Sequence, residues 1–251
     1  MVELPQRYYR FSFMIASFPA PTRCVRRLLP NDDLVAVEIA PGIAVVTLGA
    51  WQYLPRIANL DPYNEFALMV PVRYKPERYV PLLPLLQPDA FDVAFWIDYL
   101  PVTTAQARDA GIGIWGYPKV VADIKFSDVG WMHTCRLTDE DGDALLFSSA
   151  MGETRPQGRD FYTYSIRNGE LLHTRIETRG QYHVWNTPGQ ASFELGNHPI
   201  ANKLRYLEVK NLAVGGLYAR GVKMRLYEGT RVAQPVPGSE PAADAVQAST
   251  P

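Results

Sequence analysis

A succession of short strand-like segments separated by turn residues is the feature that most limits how this chain can fold. Residues 9–18 and 43–53 are rich in aromatic and β-branched side chains, which is typical of strands. Pro41-Gly42, Asp141-Gly142 and Asn168-Gly169 interrupt such segments, and an Asn-Gly pair is a strong hairpin signal. Many short strands with few helices predict an α+β, β-rich fold, either a barrel or a sandwich.

Three segments have the spacing or end signals of short helices. Residues 22–30 place apolar side chains at helical spacing and end at a proline. Residues 103–111 begin with a capping threonine and end with a glycine, so we expect the helix to stop there. A third helix is expected from about Pro199, with His198 before it as a turn or cap residue.

The composition argues against several classes of partner. The net charge of −1 gives no electrostatic reason to expect nucleic acid or an anionic membrane surface. Cys24, Cys135 and the four histidines have no metal-ligand spacing, so we expect neither a metal site nor a cofactor. The apolar N-terminal patch is broken by Arg, Ser and Pro, and no run approaches the length of a membrane span. We therefore expect a cytoplasmic protein whose partner is a small molecule.

The domain organisation is predicted to be simple. Nothing within residues 1–232 reads as a linker, so we expect one domain there, followed by a disordered tail over 233–251 that is rich in Ala, Pro and Ser. Residues 76–92 carry prolines among leucines, which predicts an irregular apolar loop or lid. Many apolar strands leave edges to cover, which favours a homo-oligomer.

Lys119 is the candidate nucleophile. It lies in the stretch GIGIWGYPKV, residues 111–120, with Trp115, Tyr117 and Val121 around it. Loss of hydration in such surroundings disfavours the ammonium form, and a neutral amine attacks ketones and aldehydes to form Schiff bases. The alternative is a lysine at the mouth of a strand whose amine extends to water.

Glu65 is the candidate acid/base residue. It stands at the front of an otherwise apolar strand, YNEFALMVPVRYK. Because charged groups are rarely buried unless they are paired, Glu65 either has a partner inside the protein or faces water at the strand end.

These residues resemble those of the acetoacetate decarboxylase family. Gly-Tyr-Pro-Lys at 116–119 is similar to the family's Ala-Tyr-Pro-Lys, which contains its Schiff-base lysine, and Tyr-Asn-Glu at 63–65 is similar to its Tyr-x-Glu. CVRRLLPND at 24–32 and PGQASFELGNHPIANKL at 188–204 extend the resemblance in the same order along the chain.

The resemblance implies a mostly antiparallel β-barrel with a closed apolar pocket. Lys119 would be the Schiff-base nucleophile and Glu65 the acid/base residue. Arg10, near the place of a family arginine expected to meet the substrate carboxylate, would bind the substrate together with Trp115 and Tyr117. A surface position on its strand is the alternative for Arg10, because a slip of one residue turns a strand side chain to the opposite face.

Two departures from the family pattern leave the reaction open. Val120 stands where the family usually has a second lysine, and a second family glutamate falls near Thr47 or Leu48. The resemblance therefore implies a lyase acting on a small keto acid, by decarboxylation of a β-keto acid such as acetoacetate or by pyruvate-type aldol and dehydration chemistry. The alternative is a non-catalytic barrel that binds a small molecule, in which Glu65 and Lys119 form only an ion pair.

Overall fold

The computed structural model describes residues 4–54, 60–76, 81 and 92–232. Most of the loop predicted over residues 76–92 and all of the tail predicted over residues 233–251 lie outside the described residues. None of the described helices is long and apolar enough to cross a membrane.

Strands dominate the described chain. They are β1 Gln6–Pro21, β2 Leu34–Ala36, β3 Glu38–Ala40, β4 Ile43–Tyr53, β5 Tyr63–Tyr74, β6 Ala94–Val102, β7 Lys119–Val121, β8 Asp123–Val129, β9 Met132–Asp139, β10 Gly142–Ala150, β11 Arg155–Arg167, β12 Glu170–Trp185, β13 Ala191–Leu195, β14 Gly215–Leu226 and β15 Thr230–Arg231. The helices are α1 Thr22–Val25, α2 Ala105–Trp115 and α3 Pro199–Tyr206, with a 3-10 turn at Arg26–Leu28.

Seven of these strands close into a barrel in the order β5-β4-β1-β14-β12-β11-β6, with β6 pairing back onto β5. Six of the seven pairings are antiparallel, and only β6 with β11 is parallel. The short strand β7 lies parallel to β6, outside the ring. The structure confirms the predicted fold class, an α+β, mostly antiparallel β-barrel with a few short helices.

A second sheet, in the order β13-β10-β9-β8, packs against the outside of the barrel. Its Phe193 meets Phe18 of β1 edge-to-face with ring centroids 4.9 Å apart, and Phe147 meets Phe66 of β5 at 6.5 Å. Strands β4 and β5, which lie under this sheet, are therefore buried on both faces. This explains why their sequences are continuous apolar runs without an alternation of apolar and polar residues.

The helix ends differ from the predictions in two places. Residues 22–30 form only the four-residue α1 and the 3-10 turn. Helix α2 begins as predicted, with Thr104 accepting from the Ala107 amide, but continues four residues past Gly111. The stop is Gly116, whose left-handed backbone (φ +64°) donates its amide to the Ile112 carbonyl.

The cap of α3 is as predicted. His198 takes the N-cap position and its side chain accepts a hydrogen bond from the Ile200 amide, while Pro199 is the first residue of the helix. An N–H group at the first position of a helix has no acceptor within the helix. Proline suits this position because it lacks that N–H and therefore loses no hydrogen bond.

Gly116→Ala is expected to lower the free energy of unfolding by more than the cost of placing an alanine in the left-handed conformation. A β-carbon at this position would lie 2.3 Å from the Ile166 carbonyl oxygen, and that backbone oxygen is held in β11. The left-handed conformation itself costs an L-residue about 1–2 kcal/mol. The measurement is the free energy of unfolding in denaturant.

Gly130→Ala is the matched control, because Gly130 also has positive φ (+61°) but no heavy atom within 4 Å of the added β-carbon. Equal losses in the two variants would show that the contact with β11 contributes nothing.

Candidate active site

Lys119 and Glu65 lie on strands that flank β6. Glu65 is the third residue of β5 and pairs with Val102 of β6, and Lys119 is the first residue of β7 and pairs with Leu100 of β6. Lys119 Nζ donates to Glu65 Oε2 at 2.6 Å. The two side chains are only 7% and 11% exposed, so the pair is buried. The structure therefore brings the two predicted residues together, and neither extends to water.

The end of α2 places Lys119 at the start of β7. Gly116 turns the chain out of the helix, and the Tyr117 amide then donates back to the Gly111 carbonyl at 3.2 Å. The ring of Pro118, the residue that follows, then restricts its own φ. Three successive residues are thereby held in place, so the lysine leaves the main chain at a defined angle beneath α2.

The pair faces a cavity of about 80 Å³ inside the barrel. At about 10–15 Å³ for each water-sized group, this volume has room for roughly five to eight such groups. Most of the wall is apolar, from residues such as Phe13, Ile15, Trp51, Met69, Phe95 and Leu226. Among the described lining residues, Lys119 and Glu65 are the only ones with charged side chains.

Four tyrosines surround the charged pair within this cavity. They are Tyr8, Tyr53, Tyr63 and Tyr117. Burial raises the pKa of all four hydroxyls, and the nearby Glu65 charge adds to the rise. Lys119 Nζ also lies 5.6 Å from the centroid of the Tyr63 ring, within reach of a cation–π contact. The hydroxyls stay protonated at neutral pH and can donate hydrogen bonds to a bound molecule.

Trp115 and Tyr117, two of the predicted substrate contacts, both line the cavity. The Trp115 Nε1–H donates to the Tyr227 carbonyl at 2.7 Å, and its ring stacks on Tyr117 with centroids 6.2 Å apart. The Tyr117 hydroxyl shares a 2.8 Å hydrogen bond with Thr163. These contacts keep both rings in fixed positions against the cavity.

Arg10, the third predicted contact, is not brought to the cavity. It sits at an irregularity of β1 between Tyr9 and Phe11, with φ +58°, and is exposed. A bulge leaves the extra residue unpaired and changes the direction of its side chain. The side chain of Arg10 therefore does not follow the alternation of inward and outward residues along β1.

The two departures from the family pattern also have defined places. Val120 is 40% exposed and does not line the cavity, so a charge at this position would not face the pair. Thr47 is buried and hydrogen-bonds Ser17 at 2.8 Å, and Leu48 packs in the core outside the barrel. Glu65 is thus the only carboxylate among the described lining residues.

Several lining residues were missed by the sequence reasoning. They are Tyr8, Tyr53, Thr163, Thr178 and Gly111. Alternate residues of β11 and β12 face the cavity, and this alternation would indicate Thr163 and Thr178 as lining residues. It can be used only when it is known which face of each strand points inward. No local signal distinguishes Gly111 from any other helix glycine.

One group of side chains outside the cavity has the spacing of metal ligands. Ligand atoms of Asp139, Asp141 and His198 lie within 4.8 Å of one another. Both nitrogens of His198 are engaged, however, with Nε2 at 2.8 Å from Asp139 and Nδ1 accepting from the Ile200 amide at 3.1 Å. The cap of α3 accounts for this histidine without a metal.

Comparison with known proteins identifies similar sequences and folds. The model of a family described as acetoacetate decarboxylase (ADC) matches residues 2–234. An acetoacetate decarboxylase from Legionella pneumophila subsp. pneumophila str. Philadelphia 1 has a similar structure, with TM-score 0.64 and 19% identity over 91% of this chain and 87% of that one. A search of curated proteins found no match.

The enduracididine biosynthesis enzyme MppR also has a similar fold. In complex with pyruvate it aligns with TM-score 0.62 and 14% identity over 92% of this chain and 91% of that one. In complex with the condensation product of pyruvate and imidazole 4-carboxaldehyde it aligns with TM-score 0.60 and 13% identity over 90% and 89%. At these identities the likeness concerns the fold.

The raised tyrosine pKa values predict a loss of stability in alkali. Below the ordinary tyrosine value of 10.0, the hydroxyls are protonated in both the folded and the unfolded chain. Above it, the unfolded chain loses these protons first, so the free energy of unfolding falls as the pH rises toward the folded-state values. Parallel titrations of tyrosinate absorbance and circular dichroism should show the buried hydroxyls ionising only as structure is lost. Complete ionisation near pH 10 with unchanged dichroism would contradict this.

Proposed function

This chain belongs to the acetoacetate decarboxylase family, and we propose that it is a lyase that forms a Schiff base with a small keto acid through Lys119. The observation that carries the proposal is the buried 2.6 Å hydrogen bond between Lys119 and Glu65 at the wall of an apolar cavity. A nucleophilic amine and a proton acceptor are the two groups that imine formation requires.

Glu65 supplies the proton acceptor. An ammonium group has no lone pair, so Lys119 must lose a proton before it attacks a carbonyl. Transfer of that proton to Glu65 gives a neutral amine and a carboxylic acid. An apolar cavity favours this neutral pair more than water does, because two charges buried together have lost their hydration.

The neutral amine adds to the substrate carbonyl to give a carbinolamine. Protonation and loss of water convert it into a protonated imine, and Glu65 holds the proton that leaves with the water. The cationic imine then accepts the electron pair of the adjacent carbon–carbon bond when carbon dioxide departs. The resulting enamine takes up a proton at carbon, and hydrolysis releases the ketone and the free lysine.

The apolar lining favours a β-keto acid, such as acetoacetate, as the substrate. Beyond Lys119 no cationic side chain is found among the described residues of the cavity wall, so a bound carboxylate has no partner of its own. A carboxylate that departs as carbon dioxide loses its charge in the reaction, and an apolar environment promotes that loss.

Pyruvate-type aldol and dehydration chemistry is the second candidate. MppR, whose fold is similar, has been solved with pyruvate and with a pyruvate condensation product. An enamine formed at Lys119 can attack an aldehyde, and one acid/base carboxylate suffices for the proton transfers. The substrate carboxylate persists through this reaction, and hydroxyls such as those of Tyr117 and Thr163 would have to hold it.

Borohydride trapping tests the proposed function. With acetoacetate or pyruvate present, reduction is expected to fix the substrate on Lys119 and to raise the intact mass by the corresponding amount. Lys119→Ala is expected to abolish the adduct. Lys119→Arg is expected to abolish it as well while it keeps a cation beside Glu65, because a guanidinium stays protonated.

Lys125→Ala is the matched control. Lys125 also has a carboxylate partner, Asp123 at 2.5 Å, but its side chain is 74% exposed, so trapping should be unchanged. Release of carbon dioxide identifies decarboxylation, and a condensation product with an added aldehyde identifies aldol chemistry. If the folded wild-type protein traps no keto acid, the lyase proposal is excluded, and a non-catalytic barrel that binds a small molecule is the remaining function.

Glu65→Gln is expected to slow imine formation at neutral pH by about 100-fold or more, because the amide keeps the size of the side chain but accepts no proton. The rate of the variant should recover as the pH rises, since hydroxide then deprotonates Lys119. The measurement is the trapping rate as a function of pH. An unchanged profile in Glu65→Gln would exclude Glu65 as the proton acceptor.

A further inference from the structure

We propose that Gly111 is a positioning residue for the Lys119 amine. The missing side chain on α2 leaves the space through which the lysine passes to reach Glu65. The importance of this space for catalysis rests on the proposed function, whereas its effect on the position of the amine does not.

The contacts at Gly111 are made by the lysine itself. A β-carbon built at this position would lie 2.4 Å from Lys119 Cδ, 2.6 Å from Cε and 3.2 Å from Nζ. Apart from the neighbouring residues and backbone of α2 itself, these are the three nearest heavy atoms, and the first two distances are far below a normal contact between carbon atoms. Gly111 is buried and forms part of the cavity wall beside Lys119.

A methyl group at this position would displace the amine and not the fold. The main chain of Lys119 is held by its pairing with Leu100 on β6, while Cδ, Cε and Nζ form the flexible end of the side chain. The stem therefore moves aside by rotation of its side-chain torsions, while the backbone keeps its place. The amine then leaves the position in which it donates to Glu65.

The other roles of Gly111 survive the substitution. Its carbonyl accepts the Tyr117 amide, and alanine keeps that carbonyl. Its φ is not among the positive values of this chain, so alanine fits the backbone. In a helix interior alanine is more favourable than glycine by about 1 kcal/mol. Gly111→Ala thus adds one methyl group beside the lysine and removes nothing.

Gly113 provides a matched control on the same helix. A β-carbon there meets no heavy atom within 4 Å, and the residue is exposed. Gly113→Ala gains the same helix propensity without approaching Lys119. The difference between the two variants therefore isolates the contact with the lysine.

The first experiment compares keto-acid turnover and trapping in the wild type, Gly111→Ala and Gly113→Ala. Misplacement of a reacting group by about 1 Å can lower a rate about 100-fold, and a loss of this order in kcat/KM is expected for Gly111→Ala. Gly113→Ala should match the wild type. Thermal unfolding of Gly113→Ala should occur at or above the wild-type temperature, whereas Gly111→Ala is expected to unfold at a lower one, because it separates the buried pair.

The second experiment measures the position of the amine without the proposed reaction. Reductive methylation with formaldehyde, followed by peptide mass analysis, gives the modification rate of Lys119 against pH, with exposed Lys125 in the same sample as a reference. The Lys119 profile is expected to shift in Gly111→Ala and to stay unchanged in Gly113→Ala. This readout remains valid if the wild type traps no keto acid, so failure of the proposed function and failure of this inference are distinguishable.

A double-mutant cycle covers the case in which Gly111→Ala is unstable. In the Lys119→Ala background the atoms that meet the new methyl group are gone, so Gly111→Ala should then be neutral or stabilising. The inference is overturned if folded Gly111→Ala keeps the wild-type Lys119 profile and rate. It is also overturned if Gly111→Ala destabilises the protein equally with and without Lys119.

Discussion

The buried contact between Lys119 and Glu65 is the interaction on which the rest of the site depends. Each group alone would be costly inside an apolar barrel, and each is accepted because the other lies 2.6 Å away. The contact requires three adjacent strands, since β6 separates the strands that carry the two residues. It also requires the turn at Gly116, which sets where β7 begins, and the space at Gly111, through which the lysine passes. Backbone geometry, and not side-chain chemistry alone, therefore makes the pair.

The two-sided packing of the barrel explains how such a site coexists with a stable fold. The aromatic core between the barrel and the second sheet, with Phe18, Phe66, Phe147 and Phe193 at its centre, buries apolar surface outside the ring. The interior is thereby free to hold a cavity instead of a fully packed core. Its walls are mostly apolar and the charged pair is little exposed, while the tyrosine and threonine hydroxyls offer hydrogen bonds to a small bound molecule.

Local patterns predicted what depends on neighbours in the chain. The hairpin turns at Asp141-Gly142 and Asn168-Gly169 were correct, because turn chemistry needs only the residues of the turn. The end of α2 was predicted too early, because Gly111 was interpreted as the stop although the left-handed cap comes at Gly116. The sequence left Arg10 open between a substrate contact and a surface position on its strand, and the structure places it exposed at an irregularity of β1.

The sequence by itself determined the β-rich architecture, the family resemblance and the identity of Lys119 and Glu65 as the candidate pair. Periodicity, turn residues and short motifs are local properties, and they can be read one segment at a time. Only the tertiary structure decided that the two side chains touch, that Val120 faces away from the cavity, that Arg10 lies outside it, and that Gly111 borders the lysine. These facts depend on strand register and on the closure of the barrel, which join residues 54 positions apart and have no signature in either segment alone.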